Sequence, residues 1–172
     1  MEECPYHPIV KLAIDSIENF VKSGKVITVP DDLIPILGER NGTFVSIKKK
    51  GRLRGCIGTI KPIKKNLGEE IISNAISAAT KDPRFEPVRR DELDKLEISV
   101  DVLTDPRPVE DAEELDPKRY GIIVSNGVRQ GVLLPDIEVQ TVARQVEICR
   151  DKAGIKPEEV VEIKKFEVER YR

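Results

Sequence analysis

An α+β fold is predicted for this chain: two subdomains, mainly antiparallel sheet built from hairpins, with flanking helices. Three observations predict it. Strand-like segments come in pairs around turn signals at Lys50-Gly51 and Asn126-Gly127. Each pair is followed by a stretch of helical apolar spacing. No repeat of 20–50 residues and no low-complexity tract suggests an array instead.

The elements follow in order. Val10, Ile14, Ile17 and Val21 recur at three-and-four spacing, which predicts a helix over 8–23 stopped by Gly24. Residues 30–38 read as an irregular connector. Residues 43–48 alternate as a strand, Lys50-Gly51 turns the chain, and 53–60 returns as the second strand. Asn66 with Glu69 has the form of a capping box, and the helix it opens runs to the stop at Asp82-Pro83. A short helix over 91–96, a strand over 98–103 and a Pro- and acid-rich connection over 104–116 come next. Residues 121–125 and 128–134 form the second hairpin. A helix over 141–153 ends at Gly154, and 162–170 alternates imperfectly as one last strand.

With 172 residues the chain is about one domain, 1–172, with two interleaved lobes allowed. Apolar content of 39% and charged content of 35% mark a globular chain with a densely charged surface. Trp is absent, so Ile, Val, Leu and Ala must build the core. A net charge of −2 argues against nucleic acid as the main ligand. No apolar run approaches the ~18 residues of a membrane span, and the acidic start Met1-Glu2-Glu3 lacks a signal peptide's basic region, so a cytoplasmic location is expected. Abundant Lys and Glu with only three Gln fit the surface ion-pair networks of a thermophile. The three cysteines, Cys4, Cys56 and Cys149, are too few and too widely spaced for a disulfide framework or a structural zinc site. No cofactor motif is present, and no metal site is expected.

Chemistry is expected at Cys56. Strict alternation puts Arg54, Cys56 and Gly58 on one face of their strand. A guanidinium ~7 Å along the strand favours the nucleophilic thiolate. Gly55 and Gly58 mark a bulge or the close approach of a backbone or ligand. The other reading is a buried structural cysteine in a tightly packed strand. Asp82-Pro83-Arg84-Phe85 is a second constellation: Arg84 suits a carboxylate or phosphate, and Asp82 suits the task of orienting it, or else the segment is a helix-stop loop with a local ion pair. Asn74 shares a helix face with Ile71, Ala75 and Ala78, and its buried amide is expected to tie down the Cys56 strand. His7 is a base for Cys56 only if the fold brings it there. Asp136 is an acid, a base or a turn residue. Eight basic residues from Lys48 to Lys65 form either an anion- or RNA-binding patch or, the preferred reading with Arg54 excepted, a solvated hairpin that discourages edge pairing. They have no aromatic platform for stacking bases.

These same segments carry a resemblance. Leu53-Arg54-Gly55-Cys56-Ile57-Gly58 is similar to the six-residue hallmark of the AMMECR domain family. Residues 74–85, Gly131 to Asp136 and Lys152 to Ile155 resemble three further blocks of that family, in the same order. The pattern from Tyr120-Gly121 through Leu133-Leu134-Pro135-Asp136-Ile137-Glu138, with Thr141 and Gln145 following, most resembles the prokaryotic branch called AmmeMemoRadiSam system protein A. The resemblance implies two subdomains and a cleft beside the signature strand. It implies Arg54, Cys56, Asn74, Asp82, Arg84 and Phe85 as site residues, and a Memo-like protein and a radical S-adenosylmethionine enzyme as partners. It brings no established activity. Tyr120 stands where many relatives have histidine, and Val139-Gln140 departs from the branch's glycine. The leading expectation is a cysteine-centred enzyme or enzyme subunit, with Cys56 and Arg54 catalytic and Arg84, Asp82, Phe85 and Asn74 holding an anionic small molecule or modified macromolecule. The alternative is a noncatalytic adaptor for a peptide, an RNA or a partner enzyme.

Overall fold

Helix α1 spans Pro8–Ser23, the range its apolar spacing predicts. The Nδ1 atom of His7 caps its start, and Gly24 closes it at φ 70°, a conformation glycine adopts without steric cost. The structure is a computed structural model that describes residues 5–135, 139 and 141–172. The expectations for Cys4 and Asp136 lie outside the described residues. The connector holds a 3-10 turn at Asp31–Leu33 and a one-turn helix α2 at Ile34–Leu37.

Strands β1 (Thr43–Lys49) and β2 (Arg52–Thr59) form the first hairpin. Lys50 and Gly51 both take positive φ, 52° and 72°, as a two-residue turn between twisted strands requires. Helix α3 (Leu67–Thr80) begins where Asn66 accepts a hydrogen bond from the Glu69 N–H at 2.8 Å. The short helix expected near Asp91 is a 3-10 helix at Arg90–Lys95, and β3 follows at Leu96–Leu103. The acid-rich connection contains a two-residue strand β4 (Arg107–Pro108) and a 3-10 turn at Ala112–Glu114. Strands β5 (Gly121–Ser125) and β6 (Gln130–Leu133) make the second hairpin. Its loop has four residues, 126–129, because Asn126 Oδ1 accepts from the N–H groups of both Val128 and Arg129. Helix α4 (Val142–Ala153) ends at left-handed Gly154.

The final alternating stretch corrects the expectation of one strand. It divides into β7 (Glu162–Phe166) and β8 (Val168–Tyr171), which join different sheets. Glu167 sits at the break, its N–H donating to Thr104 Oγ1 and its carbonyl accepting from the Thr104 N–H.

The first sheet has the order β2-β1-β3-β8 and the second β4-β7-β5-β6. Two compact units result: residues up to Val102 with Glu169–Arg172, and Leu103–Val168. In the first, Val45, Ile47 and Val100 pack with α1 and α3 into the larger core. In the second, Ile122, Val124 and Leu133 pack with Cys149 of α4. No described helix is long and apolar enough to cross a membrane. The α+β architecture with antiparallel sheets and flanking helices is the one the hairpins and helices predict.

Candidate functional site around Cys56

Strand β2 is an edge of the first sheet, and Gly55 lets it lie against α3. A Cβ built on Gly55 would stand 2.2 Å from the Ala78 carbonyl oxygen, so no larger residue fits without moving the helix backbone. Gly58 has the same function toward the Phe44 ring, which a Cβ there would meet at 2.2 Å. Asn74 completes the seam. Its Nδ2 donates to the Thr43 carbonyl at 3.0 Å and to Thr59 Oγ1 at 3.1 Å, which fastens α3 to both strands of the hairpin. The amide therefore ties the strands, as its buried helix position predicts.

The segment after α3 covers the free edge of β2. The Cys56 N–H donates to Asp82 Oδ2 at 2.9 Å, and Arg84 Nη2 makes a long 3.5 Å contact with the Cys56 carbonyl. Asp82 and Arg84 thus stand where a further strand would otherwise pair. They are also joined to each other: Arg84 Nε and Nη2 reach the two Asp82 oxygens at 3.0 and 2.7 Å, a bidentate pair. The Asp82 side chain is only 2% exposed, whereas that of Arg84 is 55% exposed. The Arg84 guanidinium lies 5.4 Å from the half-buried Phe85 ring. The pair leaves the Nη1 end of the Arg84 fork open to a second partner.

Arg54 departs from strict alternation. Ile47 pairs with Gly55 and Lys48 with Leu53, so Arg54 is the extra residue of a β-bulge. The bulge aims its side chain at Glu92 and away from the thiol. Nε and Nη2 donate to the two Glu92 oxygens at 3.1 and 2.9 Å, and Nη1 donates to the Glu86 carbonyl at 2.8 Å. Glu92 accepts two further bonds, from Lys49 Nζ at 2.7 Å and from the Arg89 N–H at 3.1 Å. Four donors fill the lone-pair sites of a buried carboxylate. Arg54 therefore fastens residues 86–87 to β2, and its proposed action on Cys56 has no support in this geometry.

The thiol lies on the opposite face of the strand. Cys56 Sγ is 3.2 Å from Ser46 Oγ. Burial raises the thiol above its ordinary value of 9.0, while the Ser46 hydrogen bond and Arg84 pull it down less. Asp101 and Asp82 add to the rise. Asp101 is itself buried and held by Arg170 at 2.7 and 3.0 Å. His7 does not reach the site: its ring stacks on Tyr171 of β8 at 4.5 Å. That strand is three places from β2 in the sheet order, about 14 Å across at the usual strand spacing. Tyr120 belongs to the second unit, where Arg119 and Lys165 each lie 4.9 Å from its ring. Among the described residues no group of three His, Cys, Asp or Glu is placed to hold a metal ion.

Sequence reasoning missed three buried carboxylates. Glu92 and Asp101 are described above. The third, Glu70, accepts from Thr59 Oγ1 at 2.6 Å and from the N–H groups of Ile63 and Lys64 at 2.9 and 2.7 Å. Glu70 carried a signal: it falls between apolar positions of α3.

The carboxyls of Asp82 and Glu92 are held well below their ordinary values of 3.8 and 4.5, by Arg84 and Arg54 respectively. A depressed carboxyl adds stability that is complete above its unfolded value and is lost as pH falls toward the folded one. Denaturant midpoints are therefore expected to hold steady above pH 4.5 and to drop progressively below it. Asp82→Asn should flatten part of that drop. An unchanged acid profile in this variant would remove Asp82 from the account.

The AMMECR1 family model matches residues 10–172. A Thermotoga maritima protein is 56% identical over 172 residues, covering 96% of this chain and 98% of that protein. Protein CA_C1420 of Clostridium acetobutylicum is 48% identical over 168 residues, but the match covers only 36% of that longer protein. The crystal structure of uncharacterised protein PH0010 from Pyrococcus horikoshii superposes with a TM-score of 0.87 at 36% identity, over 94% of this chain and 88% of that one. This chain belongs to the AMMECR1 family.

Proposed function

We propose that this chain is a binding module. It offers the Cys56 strand with the Arg84–Phe85 tip to an anionic group, a carboxylate or phosphate, on a partner protein or small molecule. One observation carries the reading: the groups that would activate a nucleophile are committed elsewhere. Arg54 is spent on Glu92, Asp82 on Arg84 and the Cys56 N–H, and the thiol is raised by burial. The Nη1 end of Arg84, on a half-exposed side chain beside an aromatic ring, is the element suited to recognition. The Clostridium relative, in which the matching stretch is 36% of a longer protein, supports a domain that works alongside others. A Memo-like protein and a radical S-adenosylmethionine enzyme, the partners implied by the AmmeMemoRadiSam resemblance, fit that role. So does the cytoplasmic setting the sequence suggests.

A second reading retains the cysteine-centred enzyme, because Cys56 is only partly buried and Arg84 offsets part of the rise in its pKa. Alkylation separates the two. With iodoacetamide at pH 7, Cys56 of the binding module reacts more slowly than free N-acetylcysteine, and its rate keeps climbing beyond pH 9. It still outpaces Cys149, which is fully buried and pushed up to about 11. Peptide mass spectrometry after timed labelling reads all three rates. A Cys56 rate at pH 7 above that of the free thiol sinks the binding module in favour of the enzyme.

A further inference from the structure

Helix α3 has two working faces. One carries Asn74, Ala75 and Ala78 against the hairpin. The opposite face carries Glu69, Ser73, Ile76 and Ser77 and floors a separate groove of about 640 Å³. That volume lies within the ~300–1,000 Å³ of small-molecule sites. Phe20 from the end of α1 and residues 26–29, outside any helix or strand, form its walls. Val29 crowds the helix so closely that a Cβ on Gly68 would meet it at 2.7 Å.

The groove is more apolar than polar, with charged residues at both ends of its α3 floor. From Glu69 to Lys81 the helix rises about 18 Å. Ile72 and Ile76 line the floor, and Val26 at the wall is left 57% exposed, apolar surface that a ligand would remove from water. The two ends differ in charge. At one, Lys64 and the acid Glu69 both belong to the lining, so the formal charges there sum to zero. At the other, Lys81 stands one turn beyond Ser77, and the one acid of the lining, Glu69, lies about three turns back along α3.

We propose that this groove binds a long-chain carboxylate, its tail along Ile72 and Ile76 and its head at Lys81 with the Ser77 hydroxyl. The occupant follows from the lining: an apolar trough of this length takes an extended hydrocarbon, and the unopposed cation at one end takes an anion. The proposal is independent of Cys56 and Arg84, which lie on the sheet side of α3.

The test is a fluorescence titration of the full chain with cis-parinaric acid, a fatty acid that brightens in an apolar site. Saturable binding is expected, displaced by tetradecanoate and at least about tenfold less well by tetradecanol, which keeps the tail and lacks the charge. Lys81→Glu should weaken the probe by about tenfold, while Lys64→Glu changes it by less than about threefold. Ser77→Phe, which fills the trough, should weaken it by at least about tenfold. If the melting temperature of Ser77→Phe falls, Lys81→Glu decides alone, since its side chain is exposed. Non-saturable fluorescence, equal competition by the alcohol, or a larger loss in Lys64→Glu than in Lys81→Glu overturns the proposal.

Discussion

Glu92→Ala should lower the melting temperature of the chain by roughly 6–20 °C, the equivalent of about 3–5 kcal/mol for breaking a buried ion pair from one side. The Glu92 side chain is 7% exposed and that of Arg54 16%, so the substitution leaves a nearly buried guanidinium without its counter-charge. It also strands Lys49 and the Arg89 N–H. Removal of both charges, in Glu92→Leu with Arg54→Met, should recover most of the loss, because a buried pair exchanged for apolar side chains is often close to neutral. Differential scanning calorimetry on the single and double variants reads both numbers. A Glu92→Ala shift below about 2 °C would show that solvent reaches the pair and that residues 86–87 are held by something else.

Gly55→Val should cost about 3 kcal/mol or more, beyond what a surface strand glycine would cost. The obstacle is backbone: the added Cβ stands 2.2 Å from the Ala78 carbonyl oxygen and 3.2 Å from its carbon. Neither can rotate away, so α3 must lift from the hairpin. Asp82 follows α3 in the chain, and its bond to the Cys56 N–H should loosen with it. The variant is expected to melt lower and also to label faster at Cys56, two readouts from one displacement. Melting without faster labelling would mean that the edge cover at Cys56 does not depend on the seat of α3.

Local signals account for what could be read without coordinates. Helix α1 was legible because Pro8, the apolar stripe and Gly24 are all contained in its own sequence. Asn66 and Glu69 announced α3 in the same way, and Lys50-Gly51 fixed the first hairpin. The link between the Cys56 strand and the Asp82 loop could be anticipated, since an alanine-lined helix must pack closely and deliver its end to the strand. Gly55 allowed a bulge, but that Arg54 would be its extra residue could not be anticipated. A one-residue insertion against β1 leaves no mark on the alternation of β2 alone, yet it reverses which side the guanidinium takes. Glu92 was invisible for a related reason: its partners Lys49 and Arg54 are about forty positions away, and a lone Glu in a charged stretch looks solvated. Residues 162–170 read as one strand because periodicity counts residues and cannot see that Thr104 takes the backbone of Glu167 and divides the segment between two sheets.

That division sets an order on the birth of the molecule. Strand β8 pairs beside β3, but the whole of residues 104–167 is made between them. At ~5–20 residues per second the ribosome delivers β1, β2, α3 and β3 seconds before their last neighbour exists. During that interval the outer edge of β3 carries unpaired backbone groups, a template for any passing strand. The intervening segment is contiguous and can fold from its own residues while the first sheet waits. Nascent chains stalled short of residue 168 should therefore be the form most in need of a chaperone.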